Sequence, residues 1–453
     1  MDLGFDTIGN ATLIAYDRSA VLVTDPWIDG SAYFGSWTLP FEIPEQQHLA
    51  VVSARFCWLS HGHPDHLSLE SLAHLKHQTL LLPDHVGGRI AADLRTEGFN
   101  VRVLPERRWI PLSDRIRVWS LGDVNQDGIL LIDIDGTVVA NLNDAFDNGW
   151  RRAVTQQLRT FDRSVLLAAA GYGDADMLNF WDETGQRIEP DPLKLRPFGA
   201  RVARRAAGFG CRFTAPFSHL HAYQRSDSAW ANKWVTPPGA HAAGFESNDV
   251  ELLPAFVRYD LAKDHAQALE PAHKPVELLD PSAFGDHWDA PFEPGDADAL
   301  DAYFGRFEVL SDAIDAVHFK VGGTRHTVAF SGSRTGRELT FATPRKSLME
   351  AVKYEVFDDL LIGNFTRTTL HGPWSADGLY PDFSPVVAKY GDNGRAHSRE
   401  QLEQYFEAYR RRAGWDWFRW RLESGAKHQL RRFAQPGSRP WAWARKLYWT
   451  VRR

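Results

Sequence analysis

The amino-acid sequence predicts an α/β layered sandwich followed by a smaller α+β extension. Its first 150 residues contain many short apolar runs joined by tight polar turns, with helical stretches between some of them. Polar residues collect where the runs end, which is typical of a sheet layered with helices. After about residue 300, alternating runs appear again before another helix. A length of 453 residues with 43% hydrophobic residues is enough for a large core and more than one structural unit.

The predicted elements follow a regular order. Strands are expected at residues 11–17, 20–27, 56–60, 79–83, 100–105, 116–121, 128–135 and 137–143, with Gly136 in the hairpin turn between the last two. Helices are expected at residues 69–78 and 84–99. Residues 151–210 are helical and basic in character, and residues 212–223 look like a strand that continues into a polar loop. In the extension, strands are expected at 316–323, 326–332 and 338–344, before a helix at 347–354.

Composition changes divide the chain into three expected parts. The stretch 236–300 is rich in Pro, Gly and Asp, which places a boundary near residue 245. We expect a sandwich domain at 1–245, an α+β extension at 246–385 and a basic helical tail at 386–453. The extension would form a wall of a substrate cleft or a dimer contact.

The cysteine count and the chain start limit the class of protein. Cys57 and Cys211 are too few for a disulfide framework, a Cys-rich zinc site or an all-cysteine iron–sulfur cluster. The start has neither the basic segment nor the apolar run of a signal peptide, and no run approaches the ~18 apolar residues of a membrane span. We therefore expect a cytoplasmic protein.

Charge is distributed unevenly along the chain, whose net charge is -7. Residues 409–453 contain 13 Lys/Arg against 2 Asp/Glu, together with six of the 17 Trp. A segment of this composition suits an anionic membrane surface, and it equally suits packing on the acidic body of its own chain. The sequence favours either of these over nucleic acid.

The densest group of ligand-type side chains is His-Gly-His-Pro-Asp-His at residues 61–66. It directly follows an apolar strand and precedes a helix, so that its side chains can converge from one turn. His61 and His63 can face one metal ion, and Asp65 and His66 a second, because imidazole and carboxylate are common metal ligands. The motif predicts a binuclear metal site.

This motif is the HxHxDH signature of the metallo-β-lactamase superfamily, and the chain resembles that family around it. The resemblance implies an αβ/βα sandwich, so residues 1–245 become a metal-binding domain. Asp25, which ends the second strand, is where the family has a structural aspartate. Asp144 is where it has its bridging carboxylate, which would screen the repulsion between two cations.

Further residues resemble the branch that contains CMP-N-acetylneuraminate hydroxylase. They include Asp25-Pro26-Trp27 with Gly30 and Trp37, Asp127 and Asp144 seventeen residues apart, the Pro216-Phe217 pair, and the segment FDDLLIGNFTR at 357–367. The resemblance implies hydroxylation of amino-sugar derivatives and a di-iron centre that uses O₂.

The chain departs from that branch at three points. Asp123 stands where the branch has a histidine ligand, and it is either a harder ligand that favours iron or manganese over zinc, or an ordinary turn residue. The later histidine of the pattern falls near Arg225, and His219 or His221 would replace it. The Rieske module of the hydroxylases is missing here, so an oxygenase would need an external electron donor.

The expected metal ligands are therefore His61, His63, Asp65, His66, Asp123, Asp144, His219 and His221. Asp65 and Asp144 are also the expected catalytic residues. We expect two metal ions, with iron favoured and zinc or manganese as the alternatives. Asp174, Asp176 and Arg225 are expected near the substrate.

Two enzymatic functions remain open from the sequence. A di-iron oxygenase would hydroxylate an amino-sugar-like or otherwise activated small molecule. A binuclear hydrolase with the same ligands would act on a phosphodiester, an amide or a lactone, since two metal ions lower the pKa of a bound water to about 7. A non-catalytic protein with a structural metal site is the third hypothesis, and the full set of ligand-type residues argues against it.

Overall fold

The structure is a computed structural model that describes residues 1–145, 148–169, 177–189, 197–332, 334–374 and 378–433. Its strands are β1 (Leu3–Ile8), β2 (Thr12–Asp17), β3 (Ser19–Thr24), β4 (Trp37–Thr38), β5 (Phe56–Trp58), β6 (Thr79–Leu82), β7 (Asn100–Val103), β8 (Ile110–Pro111), β9 (Ile116–Gly122), β10 (Gly128–Ile134), β11 (Thr137–Asn143), β12 (Arg163–Ala168), β13 (Phe180–Trp181), β14 (Phe213–Pro216), β15 (Ala222–Tyr223), β16 (Glu251–Leu252), β17 (Val257–Asp260), β18 (His265–Ala268), β19 (Ala316–Val321), β20 (Thr324–Ala329), β21 (Glu338–Ala342) and β22 (Arg367–His371). Its helices are α1 (Glu45–Ser53), α2 (Leu69–Ala73), α3 (Arg89–Thr96), α4 (Arg151–Leu158), α5 (Gly199–Phe209), α6 (Asp296–Gly305), α7 (Arg345–Lys353), α8 (Phe357–Ile362), α9 (Arg399–Ala413) and α10 (Trp415–Phe433). Short 3₁₀ segments cover Ala229–Trp234, Pro238–Ala242, Pro281–Phe284 and Glu308–Asp312, and a π-helical segment covers Pro385–Asn393.

Two large sheets pack face to face and form the centre of the molecule. The first has the order β18-β17-β1-β2-β3-β5-β6-β7, and the second has the order β16-β14-β12-β11-β10-β9-β8. The largest cluster of buried apolar side chains lies between them and includes Phe5, Leu130 and Val165. Strands such as β2, β10 and β11 are buried along their whole length because both of their faces are covered.

Helices cover the outer face of each sheet. A second apolar cluster joins α1, α2 and α3 to the first sheet. A third joins α4, α5, α9 and α10 to the second sheet. The resulting helix–sheet–sheet–helix layering confirms the predicted αβ/βα sandwich, and it places the carboxyl ends of β3, β5, β11 and β14 along one edge.

Both sheets recruit short strands from beyond residue 245. β16 extends the second sheet next to β14, and β17 and β18 extend the first sheet beyond β1. The sandwich therefore continues past the predicted boundary, to residue 268, because the Pro- and Gly-rich stretch still contains segments that can pair at a sheet edge.

The later part of the chain forms the predicted α+β extension. Its five-stranded sheet has the order β13-β22-β21-β19-β20 and packs against α6, α7 and α8 around a core rich in phenylalanine. β13 comes from residues 180–181, so the extension is tied to the sandwich through main-chain pairing. α8 and the π-helical segment then approach the edge where the strands of the sandwich end.

The described part of the basic tail, residues 386–433, contains most of the π-helical segment followed by α9 and α10. Tyr405, Tyr409 and Trp417 pack on the second sheet, whereas Trp415 and Phe418 are 62% and 50% exposed. None of the described helices combines the length and apolar character needed to cross a bilayer. Trp441, Trp443 and Trp449 lie outside the described residues, and contact of the tail with an anionic membrane stays a prediction.

Candidate metal centre

The 61–66 motif lies at the edge where parallel strands end. β3 and β5 are parallel neighbours, so Asp25 and the motif leave the first sheet side by side. β11, β12 and β14 are parallel in the second sheet, and Asp144 and residues 218–221 follow the ends of β11 and β14. Gly128 permits this meeting of the sheets, because a Cβ there would lie 2.7 Å from the Ser60 carbonyl oxygen.

His61, His63 and Asp144 form the first group of possible ligands. His61 Nε2 lies 2.9 Å from His63 Nδ1 and 3.9 Å from Asp144 Oδ2. Donor atoms of all three residues lie within 4.8 Å of one another. Since ligand atoms about 2.0–2.2 Å from one ion are themselves about 3 Å or slightly more apart, one metal ion fits this group.

Asp65 and His66 form a second set of possible ligands, near the same oxygen of Asp144. His66 Nε2 is 3.4 Å from Asp65 Oδ2 and 3.5 Å from Asp144 Oδ2. Burial opposes charge on His66, but the carboxylates of Asp65 and Asp144 outweigh it and raise the pKa of His66 well above its ordinary value. A metal ion between these three side chains would take the place of that proton. Asp144 faces both groups, as a bridging carboxylate must.

Hydrogen bonds fix which nitrogen each histidine presents. The Asp25 carboxylate accepts the Ser60 backbone N–H at 2.7 Å, and its other oxygen lies 3.2 Å from His66 Nδ1. Ser60 Oγ lies 2.8 Å from His61 Nδ1. With their Nδ1 atoms occupied, His61 and His66 turn Nε2 toward the centre, as metal-binding histidines usually do.

Asp65 is held by two side chains that carry no charge. Asn10 Nδ2 donates to Asp65 Oδ2 at 2.8 Å, and the Tyr33 hydroxyl donates to Oδ1 at 2.5 Å. Burial opposes ionisation of Asp65, but His66 outweighs it and the pKa of Asp65 falls to about 2. The Tyr33 hydroxyl stays protonated, because burial and then Asp65 raise its pKa well above the ordinary value.

The two histidines that follow β14 have different surroundings. His219 Nε2 lies 3.1 Å from Asp144 Oδ1, which also accepts the Ser218 hydroxyl at 2.7 Å. His221 stacks flat on Trp37, with ring centres 3.4 Å apart. His221 is buried, and neither of its ring nitrogens has a hydrogen-bond partner in the part of the chain that is described. Burial, and then His219, lowers the pKa of His221 to about 3, which keeps it neutral.

The unpartnered nitrogens of His221 support a metal site. A buried imidazole without a partner costs free energy unless something else satisfies it, and a metal ion does so. Mixed imidazole and carboxylate donors suit iron, zinc or manganese. The residues present therefore fit a metal ion near His61 and His63, and a second ion near Asp65 and His66 stays a prediction.

The backbone is strained around this centre. Asp25, Tyr33, Asn143, Ser218 and His219 all adopt φ angles between 27° and 70°, a region that residues other than glycine rarely enter. Such strain persists only where surrounding contacts enforce it, and it is concentrated at functional sites.

Asp123 lies outside the donor cluster. One oxygen of its carboxylate accepts the Asn125 and Asp127 backbone N–H groups at 2.8 Å and 3.1 Å, and the other accepts Asn148 Nδ2 at 3.0 Å. These bonds close the turn after β9, which is the alternative role expected for this residue. Metal binding by Asp123 stays a prediction that these bonds disfavour.

Arg225 is buried and bound within the protein. It forms two hydrogen bonds to Asp227, one to Asp286 at 2.8 Å and one to the Phe34 carbonyl at 2.9 Å. The structure thus gives it a role in joining the sandwich to the extension, and the predicted substrate contact would have to compete with these bonds. Asp174 and Asp176 lie outside the described residues.

The extension and the first residues of the tail bring charged residues to the centre in addition to the predicted ligands. His63 Nε2 lies 3.0 Å from Asp358 Oδ2 and 3.3 Å from Lys389 Nζ. Lys389 Nζ is also 3.5 Å from Asp127 Oδ1. His63, Asp358 and the adjacent Asp359 could themselves group around a cation, but the neighbouring ammonium would repel one. We therefore interpret them as groups that orient His63.

The local sequence contains a signal for these residues. Two adjacent aspartates inside the apolar helix FDDLLI, and one lysine inside PVVAKYG, are charges where a helix should be apolar. All three side chains are less than 9% exposed. Buried charges in apolar segments need partners, and here the partners are one another and His63.

Comparison with known proteins gives partial matches. No model of a known protein family matches the chain. The cytidine monophosphate-N-acetylneuraminic acid hydroxylase of Danio rerio is 29% identical over 132 residues, which are 27% of this chain and 22% of that protein. The hydroxylase of Asterias rubens is 27% identical over 141 residues, 29% of this chain and 22% of that protein. A 1,4-α-glucan branching enzyme of Streptomyces coelicolor is 32% identical over 96 residues, 20% of this chain and 11% of that enzyme.

Solved structures superpose loosely. A metallo hydrolase of the archaeon Ignicoccus hospitalis has a TM-score of 0.36 and 12% identity, covering 59% of this chain and 99% of that one. The diiron β-hydroxylase CmlA of Streptomyces venezuelae has a TM-score of 0.34 and 14% identity, covering 48% of this chain and 45% of that one.

The chain spans about a fifth of the length of the hydroxylases that it matches. Its four-layered sandwich, with the HxHxDH motif where β5 ends and Asp144 where β11 ends, has the arrangement that the sequence predicted. The chain has the metallo-β-lactamase fold, and in sequence it resembles the CMP-N-acetylneuraminic acid hydroxylase branch of that superfamily.

Proposed function

We propose that the chain is a di-iron oxygenase that hydroxylates an amino-sugar-like or otherwise activated small molecule. The observation that carries the proposal is the donor set, in which the charged carboxylates of Asp65 and Asp144 alternate with histidines at a buried centre. Carboxylates make such a site harder and favour iron over zinc. The local similarity to hydroxylases supports the same chemistry.

Each side chain has a defined task in this proposal. His61, His63 and Asp144 hold one ion, and Asp65, His66 and either His219 or His221 hold the other, with Asp144 shared. When bound, the two irons supply the redox chemistry that O₂ activation requires. The Tyr33 hydroxyl and Asn10 hold Asp65 in place, and the Asp25 carboxylate holds the ring of His66.

The reaction requires an external source of electrons. One oxygen atom of O₂ enters a C–H bond of the substrate, and the other leaves as water. Two electrons and two protons balance this reaction. We propose that a separate electron-carrier protein supplies the electrons and that solvent supplies the protons. Cys57 and Cys211 do not provide a redox pair, because both are buried and free.

Metal analysis of the purified chain tests the proposal. Protein expressed with iron and zinc supplements should contain about two irons per chain, show an absorption band of a bridged iron pair and consume O₂ after chemical reduction. His61→Ala should lose this iron, whereas His77→Ala, at an exposed position in the same region, should keep it. Zinc or manganese in place of iron, with no O₂ uptake after reduction, would overturn the oxygenase.

Hydrolysis is the second candidate, favoured by the ionised Asp65 beside the protonated Tyr33 hydroxyl. A charged carboxylate can orient an attacking water, and a nearby hydroxyl can stabilise the negative charge that develops on the substrate. Turnover of a phosphodiester, amide or lactone by the zinc or manganese form would establish this candidate. Loss of that turnover in Asp65→Asn and Tyr33→Phe would assign the two roles.

A further inference from the structure

Two guanidinium groups stack on neighbouring indole rings at the edge of the five-stranded sheet. Arg367 Cζ lies 3.7 Å from the centre of the Trp181 ring. Arg187 Cζ lies 4.8 Å from the same ring and 3.5 Å from the centre of the Trp230 ring. These four half-buried residues are named here the arginine–tryptophan cluster.

Main-chain pairing fixes the cluster. β13 and β22 are parallel, with Trp181 opposite Thr369, two residues after Arg367. Trp181 also pairs with Arg187 across a tight turn. Asn179 Oδ1 accepts the Trp181 indole N–H at 2.8 Å and lies 3.4 Å from Arg187 Nη2. The two guanidinium groups are therefore brought together by the fold itself.

The two positive charges lack a counter-charge among the described residues. Within those ranges no ion pair joins Arg187 or Arg367 to a carboxylate, and Arg187 Nε is buried without a hydrogen-bond partner. Burial, and then the charge of Arg367, lowers the pKa of Arg187. Two like charges in a partly desolvated place cost free energy until an anion joins them.

Two other stacked arginines, Arg337 and Arg225, differ in this respect. Arg337 lies over Trp374 at 4.8 Å, and its Nη1 donates to Asp382 at 2.8 Å. Arg225 lies over Phe365 at 3.9 Å, and its Nη1 donates to Asp286 at 2.8 Å. Each combines an aromatic face with a carboxylate, whereas the arginine–tryptophan cluster combines its aromatic faces with only the neutral side chain of Asn179.

We propose that the arginine–tryptophan cluster is an oxyanion-binding site that takes a phosphate or carboxylate group of a small molecule. Guanidinium groups match such anions because their N–H donors form paired, charge-assisted hydrogen bonds. The indole faces leave those donors free and restrict the arginine rotamers before the anion arrives. This site is separate from the residues of the metal centre and does not depend on the proposed hydroxylation.

Phosphate titration of the full chain tests the site. Calorimetry with inorganic phosphate, at an ionic strength held constant with chloride, should show a site that Arg187→Gln and Arg367→Gln each weaken about tenfold or more. Arg337→Gln is the matched control, because Arg337 stacks on an indole but already donates to Asp382. The Arg337→Gln variant should bind phosphate as tightly as the wild type does.

Thermal unfolding provides a second readout. Phosphate should raise the unfolding temperature of the wild type, because it binds the folded chain. The rise should be smaller in Arg187→Gln, whatever the unfolding temperature of that variant without phosphate, since the substitution also removes the stacking on two indole rings. An equal rise in both proteins would mean that Arg187 takes no part in binding, and the proposal would fail. It also fails if phosphate does not bind, or if both cluster variants bind phosphate as tightly as the wild type does, as they would if the ion were held at the metal centre.

Discussion

The two sides of the candidate metal centre come from different parts of the chain and have different chemistry. The motif side consists of residues 61–66, Asp144 and residues 219–221, all at strand ends of the sandwich, and it supplies donor atoms. The extension side consists of Asp358, Asp359 and Lys389, from α8 and the π-helical segment, and it supplies the buried charges of Asp358 and Lys389 beside His63. In the proposed centre, the sandwich would supply the metal ligands and the extension side would orient them.

The pKa shifts of the buried groups also differ between the motif side and the extension side. On the motif side, burial, followed by the other histidines, lowers the pKa of His61 and keeps its nitrogens available. On the extension side, burial opposes the charge of Lys389, but Asp127 and Asp358 outweigh it and raise the lysine's pKa. The two adjacent aspartates have pKa values shifted in opposite directions. Burial opposes ionisation of Asp358, but contact with His63 outweighs it and lowers the pKa of Asp358 to about 2. For Asp359, burial and then the charge of Asp358 raise the pKa.

The largest expected effect follows from removing the shared donor of the motif side. Asp144→Ala should lose at least one metal equivalent per chain while the far-ultraviolet circular dichroism spectrum is retained, because Asp144 faces both donor groups. Asp123→Asn should keep the full metal content, since the carboxylate of Asp123 closes a turn. Unchanged metal in Asp144→Ala, or lost metal in Asp123→Asn, would reverse the assignment of these two residues.

Lys389→Met should produce the next largest effect. It leaves Asp127 and Asp358 buried without their cation, and breaking a buried ion pair from one side costs about 3–5 kcal/mol. Urea unfolding measures this loss, with Lys353→Met, at an exposed lysine of α7, as the control. The double variant Lys389→Met/Asp358→Asn should recover part of the loss, since it also removes one of the stranded charges. No recovery would mean that the lysine stabilises the fold through packing alone.

Asp358→Asn should weaken the metal centre without emptying it. A neutral amide still accepts a hydrogen bond from His63 Nε2 but no longer polarises the ring, and losing such an outer partner typically costs about 10–100-fold in metal affinity. Competition with a chromophoric chelator measures the change. Asp359→Asn is the matched control on the same helix. Because its raised pKa favours the neutral acid, the amide should change affinity little, and equal effects in both variants would contradict the division between the two aspartates.

The motif side could be predicted from the sequence because its chemistry is local. His61, His63, Asp65 and His66 fall within six residues after an apolar strand, and parallel strands necessarily share an edge. The sandwich was predictable for the same reason, since its strands are short apolar runs with polar residues at their ends. The helix expected over residues 84–99 is shorter in the structure, where α3 begins at Arg89 after two glycines with positive φ.

The extension side could not be predicted from the same patterns. Asp358 lies 295 residues from His63 in the chain, and no local spacing relates them. The pairing of β17 and β18 with β1 is equally non-local, which is why composition alone placed the boundary at 245. Asp123 shows the opposite case. Its residue type and its spacing suit a metal ligand, but its carboxylate accepts hydrogen bonds from the backbone of its own turn. Residue type identifies possible ligands, and only tertiary contacts show which of them are available.

The smallest expected effect concerns His85, a neutral support of the motif side. His85 is buried with Nε2 2.9 Å from the Ser60 carbonyl oxygen, and burial lowers its pKa from 6.5 to about 4. The unfolded chain therefore takes up this proton before the folded chain does, so stability is lost as the pH falls from about 6.5 toward 4.

His85→Gln keeps a donor for the Ser60 carbonyl but does not titrate. Between pH 7 and pH 5 the free energy of unfolding should decrease in both proteins. The decrease should be about 1–2 kcal/mol smaller in His85→Gln than in the wild type. Urea unfolding at the two pH values measures this difference, and His77→Gln, at an exposed position, should follow the wild type. If His85→Gln also follows the wild type, the pKa of His85 is the same in the folded and the unfolded chain, and burial does not keep this histidine neutral. His85 would then take up its proton as readily in the folded chain as in the unfolded chain, and it would not be a neutral support of the motif side.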